Sequence, residues 1–163
     1  MALIPVRVSN LIIDAANDHQ ALVLREIDGE RHLDIAIGLF EALAIQRSLH
    51  QEDFPRPLTH DLCAMLITAC EAQLQGLRIT GCEEGTYLAH LHLACAHKDI
   101  EMDCRPSDGV ALALRSPGCG ILINEELLNQ PASSSDDATE NDQASEDDAY
   151  NEEDDESDDW DED

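Results

Sequence analysis

Apolar residues alternate with polar ones from Ile4 through Val6 and Val8 to Leu11, Ile12 and Ile13, the period of a half-buried strand. Two further apolar runs, Ala21–Leu24 and Leu33–Ile37, flank Asp28-Gly29, a dipeptide suited to the tight turn of a hairpin. Gly38 ends the second run, and Phe40, Leu43 and Ala44 then recur at helical spacing between Leu39 and Leu49. Past Pro55-Arg56-Pro57 the spacing predicts a second helix with Thr59 as its N-cap. Its apolar face is expected to run Leu62, Met65, Leu66, Ala69 and Gln73, with Gly76 as its stop. Strand character returns at Leu77–Thr80, and Glu84-Gly85 marks a turn. Thr86 to Cys95 alternates, with Tyr87, Ala89, Leu91, Leu93 and Cys95 on one face.

Lys98–Met102 supplies a partner strand, and Pro106 suits the first turn of a third helix, where its missing N–H would be unpaired anyway. That helix is expected from Val110 to Arg115, before Pro117-Gly118. A final strand, Ile121–Ile123, leads to Asn124 as cap of a short helix, Glu125–Leu128. Hairpins dominate this order, so the expected class is α+β: a largely antiparallel, mixed β-sheet with three main helices packed on it.

The pattern stops near residue 130. From Pro131 onward the 163-residue chain has no Leu, Ile, Val, Phe, Met, Lys or Arg, yet holds 17 of its 36 acidic residues. So little apolar surface cannot offset an ordering cost of about 1–2 kcal/mol per residue, so residues 131–163 are expected to form a disordered acidic tail after a domain at 1–130. The domain keeps 19 acidic against 9 basic residues, a formal charge of -10. The six cysteines include no Cys-x-x-Cys pair and sit in or beside apolar runs, which suits buried thiols in a reducing compartment. The start has no basic segment followed by a long apolar run, and no stretch approaches the roughly 18 apolar residues of a membrane span. A cytoplasmic protein without membrane association is expected.

Two segments concentrate the chemically versatile residues. In Pro55-Arg56-Pro57-Leu58-Thr59-His60-Asp61 and in Asp103-Cys104-Arg105-Pro106-Ser107-Asp108, an arginine precedes a proline, and a hydroxyl and an aspartate follow at a helix opening. Helix N-termini attract anions, and a guanidinium beside one adds a planar fork matched to phosphate oxygens. If both helices start on one side of the sheet, Arg56 and Arg105 can bracket a phosphodiester. Arg115 is expected at the far end of its helix. The same residues also fit ordinary capping roles.

Ile37-Gly-Leu-Phe-Glu41-Ala42, Arg56-Pro-Leu-Thr-His-Asp61, and Asp103-Cys-Arg-Pro-Ser-Asp108 through Arg115 resemble the three signature blocks of the bifunctional nuclease domain family, in the family's order. The resemblance spans roughly residues 4 to 128. The last block departs from the family's usual Asp-Ala-Arg-Pro-Ser-Asp-Ala at two places, where Cys104 and Gly109 stand for the alanines. The resemblance implies hydrolysis of phosphodiester bonds in DNA and RNA by a small domain that self-associates, with a homodimer expected. In that reading Arg56, Arg105, Ser107 and Thr59 hold phosphate and His60 acts as base or acid. Asp61, Asp103 and Asp108 position water or ligate a divalent metal ion, with Glu41 as a weaker candidate.

Charge opposes a conventional nucleic-acid binder, because affinity for phosphate backbones rests on neutralising cations and this domain is acidic. The alternative is a non-catalytic module that engages a basic protein partner through its acidic tail, where Tyr150 and Trp160 stand among carboxylates. The tail is also placed to compete with phosphate for the arginines, an autoinhibitory arrangement. His90 and His92 form an H-x-H pair on one strand face, with His97 nearby, a pattern shared by some metal sites and by many exposed strands.

Overall fold

The computed structural model describes residues 2–14, 16–52 and 54–129. The acidic tail, its boundary near residue 130, and Tyr150 and Trp160 lie outside the described residues.

Seven strands form one mixed sheet: β1 (Leu3–Asp14), β2 (His19–Glu26), β3 (His32–Ala36), β4 (Gln73–Glu83), β5 (Thr86–Ala94), β6 (Asp99–Cys104) and β7 (Gly120–Asn124). Their order is β3-β2-β1-β7-β4-β5-β6. Two antiparallel meanders, β1-β2-β3 and β4-β5-β6, are joined by β7, which pairs antiparallel with β1 and parallel with β4. The parallel step needs a crossover, and α3 (Pro106–Ala113) supplies it. Three helices, α1 (Leu39–Leu49), α2 (Thr59–Ala69) and α3, pack on the sheet, and α4 (Glu125–Leu128) follows β7. The α+β class and the three main helices are as the pattern predicts.

The core lies where the alternation puts it. Leu22 and Leu24 of β2, Leu77 and Ile79 of β4, Ala89 of β5 and Ile123 of β7 are fully buried under Ile45 of α1 and Val110 and Ala111 of α3. The turn at Glu84-Gly85 has both residues at positive φ, 49° and 78°, the combination a tight two-residue hairpin requires. Asn124 caps α4 as expected, its Oδ1 accepting from the Glu126 N–H at 3.4 Å.

Four local expectations are corrected. Thr59 is the first residue of α2, not its cap; Leu58 is the N-cap, and the Asp61 carboxylate reaches back to the Leu58 N–H at 2.9 Å. Gly76 does not stop that helix, which ends at Ala69 with Glu71 at φ 56°; Gly76 sits inside β4 opposite Gly120. Leu62, Met65, Leu66 and Ala69 face outward, while Cys63, Ala64 and Ile67 pack toward the core. The third helix starts a turn earlier than Val110, at Pro106. The six thiols are free; five are half-buried, and Cys70 is exposed.

Candidate functional site

The N-termini of α1, α2 and α3 converge, and each carries a carboxylate in its first turn: Glu41, Asp61 and Asp108. Acids at these positions complement the partial positive charge of the helix ends. Arg105, the N-cap residue of α3, links two of them. Its Nη2 lies 2.8 Å from Glu41 Oε1 and its Nε donates to Asp108 Oδ2 at 2.8 Å. The other oxygen of Asp108 lies 3.1 Å from His60 Nε2. An unbroken chain, Glu41–Arg105–Asp108–His60, therefore crosses from α1 through α3 to α2. Its arginine remains 68% exposed at the side chain, whereas His60 and Glu41 are each only 17% exposed.

A second chain lies behind the first. Arg115 is 10% exposed and donates from Nε to Asp61 Oδ1 at 2.6 Å, from Nη1 to the Ala111 carbonyl at 2.9 Å and from Nη2 to the Ala44 carbonyl at 3.1 Å. The other Asp61 oxygen accepts from Leu58 N–H, so both are engaged. The Arg115 hydrogen bond, helped by that amide, holds the Asp61 carboxyl below the usual carboxylate range.

The two chains border one cleft of about 790 Å³ whose lining includes Phe40, Glu41, Thr59, His60, Arg105 and Asp108. Phe40 stands at this cleft 82% exposed. Four expected site residues are thus brought together: Thr59, His60, Arg105 and Asp108. Asp61 is at the same helix end but turned to Arg115. Ser107 is buried and lines a neighbouring cavity of about 400 Å³ with Gly38, Tyr87 and Arg105. Arg56 and Asp103 are exposed and do not line the cleft; Asp103 sits on β6 opposite His90.

The carboxylates expected as metal ligands do not converge. Among the described residues no group of three His, Cys, Asp or Glu side chains is arranged to hold a metal ion. His90 and His92 each lie 3.9 Å from a Glu101 oxygen, with Arg78 paired across from His90. Burial, with the nearby Arg78 charge, holds His92 below the ordinary imidazole range. The Cys104 and Cys119 thiols are pushed up to about 11 by burial and stay protonated at neutral pH.

Arg115 lies just past the C-terminal end of α3, the far end of its helix as expected, yet its side chain reaches the cleft, which the sequence reading did not foresee. Asp108 and Leu112 share one face of α3, Arg115 continues their i, i+4, i+7 spacing into the turn after the helix, and all three line the cleft. That periodicity was the available signal. Only the packing of α2 against α3 reveals that Asp61 meets it.

The bifunctional nuclease domain model matches residues 22–136. Two uncharacterized proteins of Mycobacterium tuberculosis, MT1877 of strain CDC 1551 / Oshkosh and Rv1829 of strain H37Rv, are each 40% identical over 139 residues, covering 82% of this chain and 82% of their own. With a domain match of that extent and the same blocks meeting at three helix starts, the chain belongs to the bifunctional nuclease domain family.

Proposed function

We propose that the cleft hydrolyses phosphodiester bonds of DNA or RNA with low sequence specificity. The observation that carries this reading is the Glu41–Arg105–Asp108–His60 chain spanning three helix N-termini. A phosphate at the cleft mouth meets the exposed Arg105 guanidinium, the Thr59 hydroxyl and the partial positive charge of the helix ends. His60 takes a proton as water attacks phosphorus, and the carboxylate of Asp108 steadies the resulting imidazolium. The new P–O bond forms as the ester P–O bond breaks, and the leaving alkoxide takes a proton from the imidazolium. The products are a phosphomonoester and a free hydroxyl. Arg105 shares its charge with two carboxylates, so binding in the ground state is weak. Asp61 acts through Arg115 as a positioning residue. No joint metal-ligand role is assigned to Asp61, Asp103 and Asp108.

Phe40 offers a face for one base to stack on beside the scissile phosphate. A homodimer through α2 accompanies this reading. Leu62, Met65 and Leu66 are each about half exposed, and no charged side chain interrupts α2 from Leu62 to Ala69. Free thiols fit a cytoplasmic site of action.

The test is cleavage of single- and double-stranded DNA and RNA, with and without EDTA, by the full chain and by His60→Ala and Arg105→Ala. Each substitution should reduce the rate by about 100-fold or more while the thermal midpoint stays nearly unchanged. Activity indifferent to both would move the reaction out of this cleft.

A further inference from the structure

The helices cover one face of the sheet, and the opposite face carries a different distribution of charge. On the helix side the two arginines of the site are neutralised, Arg105 by Glu41 and Asp108 and Arg115 by Asp61, while Arg47 lies over the Phe54 ring and Arg56 is exposed before α2. Arg31 is paired with Glu26 and Glu125. Arg7, Arg25 and Arg78 are exposed, and among the described residues none is ion-paired.

These three share the open face. Arg78 alternates with the fully buried Leu77 and Ile79, and Arg7 follows the buried Val6, so both point away from the core. Arg7 pairs directly with Arg25, placing both on the same side. One row across the sheet reads Arg25, Arg7, then Gly120 and Gly76, then His92; the register that pairs Pro5 with Leu122 fixes Gly120 beside Arg7. The neighbouring row reads Pro5, Leu122, Arg78 and His90. A Cβ at Gly120 would stand in open space, so the two glycines leave the backbone bare between Arg7 and His92.

Adjacent strands lie about 4.8 Å apart, so the four steps from β2 to β5 span about 19 Å. That is the rise of about five or six stacked nucleotides at about 3.4 Å each. On β3 the first row ends at His32, which lies 3.9 Å from Asp34, and on β6 Glu101 and Asp103 end the two rows. Along one side Pro5 and Leu122 give an apolar surface, continued by Ile27, whose N–H bonds the Pro5 carbonyl and whose side chain is exposed.

We propose that this open face binds a short stretch of single-stranded nucleic acid, its phosphates on Arg25, Arg7 and Arg78 and its bases over Pro5, Leu122 and Ile27. A duplex hides its bases and leaves the apolar side of the strip without a partner. The surface is separate from the cleft and extends the nuclease reading, because it holds a strand without cutting it.

The test is fluorescence anisotropy of a labelled oligothymidylate, and of the same strand in a duplex, titrated with the full chain over a range of salt. The triple variant R7A/R25A/R78A should bind the single strand at least tenfold more weakly. Its log K against log salt slope should fall by about 2, close to 0.7 for each lost phosphate contact. All three side chains are exposed, and an unchanged circular dichroism spectrum and thermal midpoint would verify the fold. Unchanged affinity in the triple variant, an undetectable wild-type complex, equal losses for duplex and single strand, or binding lost only in Arg105→Ala would each overturn the proposal. Cleavage absent from the wild type, with binding still lost in the triple variant, would sink the nuclease reading and leave this surface standing.

Discussion

Arg115 directs each of three nitrogens at a different acceptor, on Asp61, Ala111 and Ala44, and so ties together the elements that frame the cleft. A lysine ammonium cannot match that planar fork. Arg115→Lys should therefore lower stability by about 1–3 kcal/mol, read as a fall in the denaturation midpoint. The partner carboxylate makes the effect depend on pH. Asp61 titrates below its unfolded value, so its contribution is fully present above about pH 4 and is lost as pH falls through the lowered pKa. The stability gap between wild type and Asp61→Asn should be widest near neutrality and close in acid, which urea denaturation at several pH values would measure. On the sheet's open face, His92 is held low by burial and by Arg78. Its NMR titration midpoint should lie below about 6.5 and rise in Arg78→Ala, because removing a neighbouring cation favours the imidazolium.

At the scale of elements, the two departures in the third signature block explain one another. A Cβ on Gly109 would lie 2.4 Å from Leu77 Cδ1 and 3.1 Å from Cys104 Sγ. Leu77 is fully buried and cannot swing clear. A larger residue at 104 thus goes with a smaller one at 109, and the helix tolerates its glycine because the space is already filled. Gly109→Ala should lower stability by about 1–3 kcal/mol through overpacking despite better helix propensity, and Cys104→Ala in the same chain should recover part of the loss in a double-mutant cycle. Most of the strands and α1 were legible because alternation and helical spacing report burial directly, whereas Gln73–Gly76 at the start of β4 read as helix. The second helix was not. Leu62, Met65 and Leu66 follow a core-like spacing, yet the core is met by Cys63, Ala64 and Ile67, the first two of which are small enough to let α2 sit close to β4 and α3. The candidate site was legible in part, since His60, Arg105 and Asp108 come from recognisable helix starts. Its closure by Glu41 and Arg115 depends on contacts between distant segments that no local pattern encodes.

Across the whole molecule, Arg31 fastens the β2–β3 loop to α4 and Asn129. It pairs with Glu26 at 2.6 Å and Glu125 at 3.2 Å, and donates to Asn129 at 2.8 Å. The Arg31 hydrogen bond holds the Glu26 carboxyl below its usual range. Stability from this pair is present above the ordinary glutamate pKa and fades as pH falls through the depressed one. Glu26→Gln should therefore be less stable than wild type at neutral pH and indistinguishable from it in strong acid, as thermal melts across pH would reveal. The position of β7 has a kinetic consequence. The strand is made late in synthesis yet lies between the two meanders, pairing Leu3 with Asn124 across nearly the whole described sequence. Until it arrives, each meander has an unpaired edge at β1 or β4, and neither can join the other. A nascent chain thus carries two open half-sheets until residue 124 clears the ribosome, then closes them in a single step limited by long-range loop closure. Chains stalled before β7 should be the species that aggregate, edge to edge.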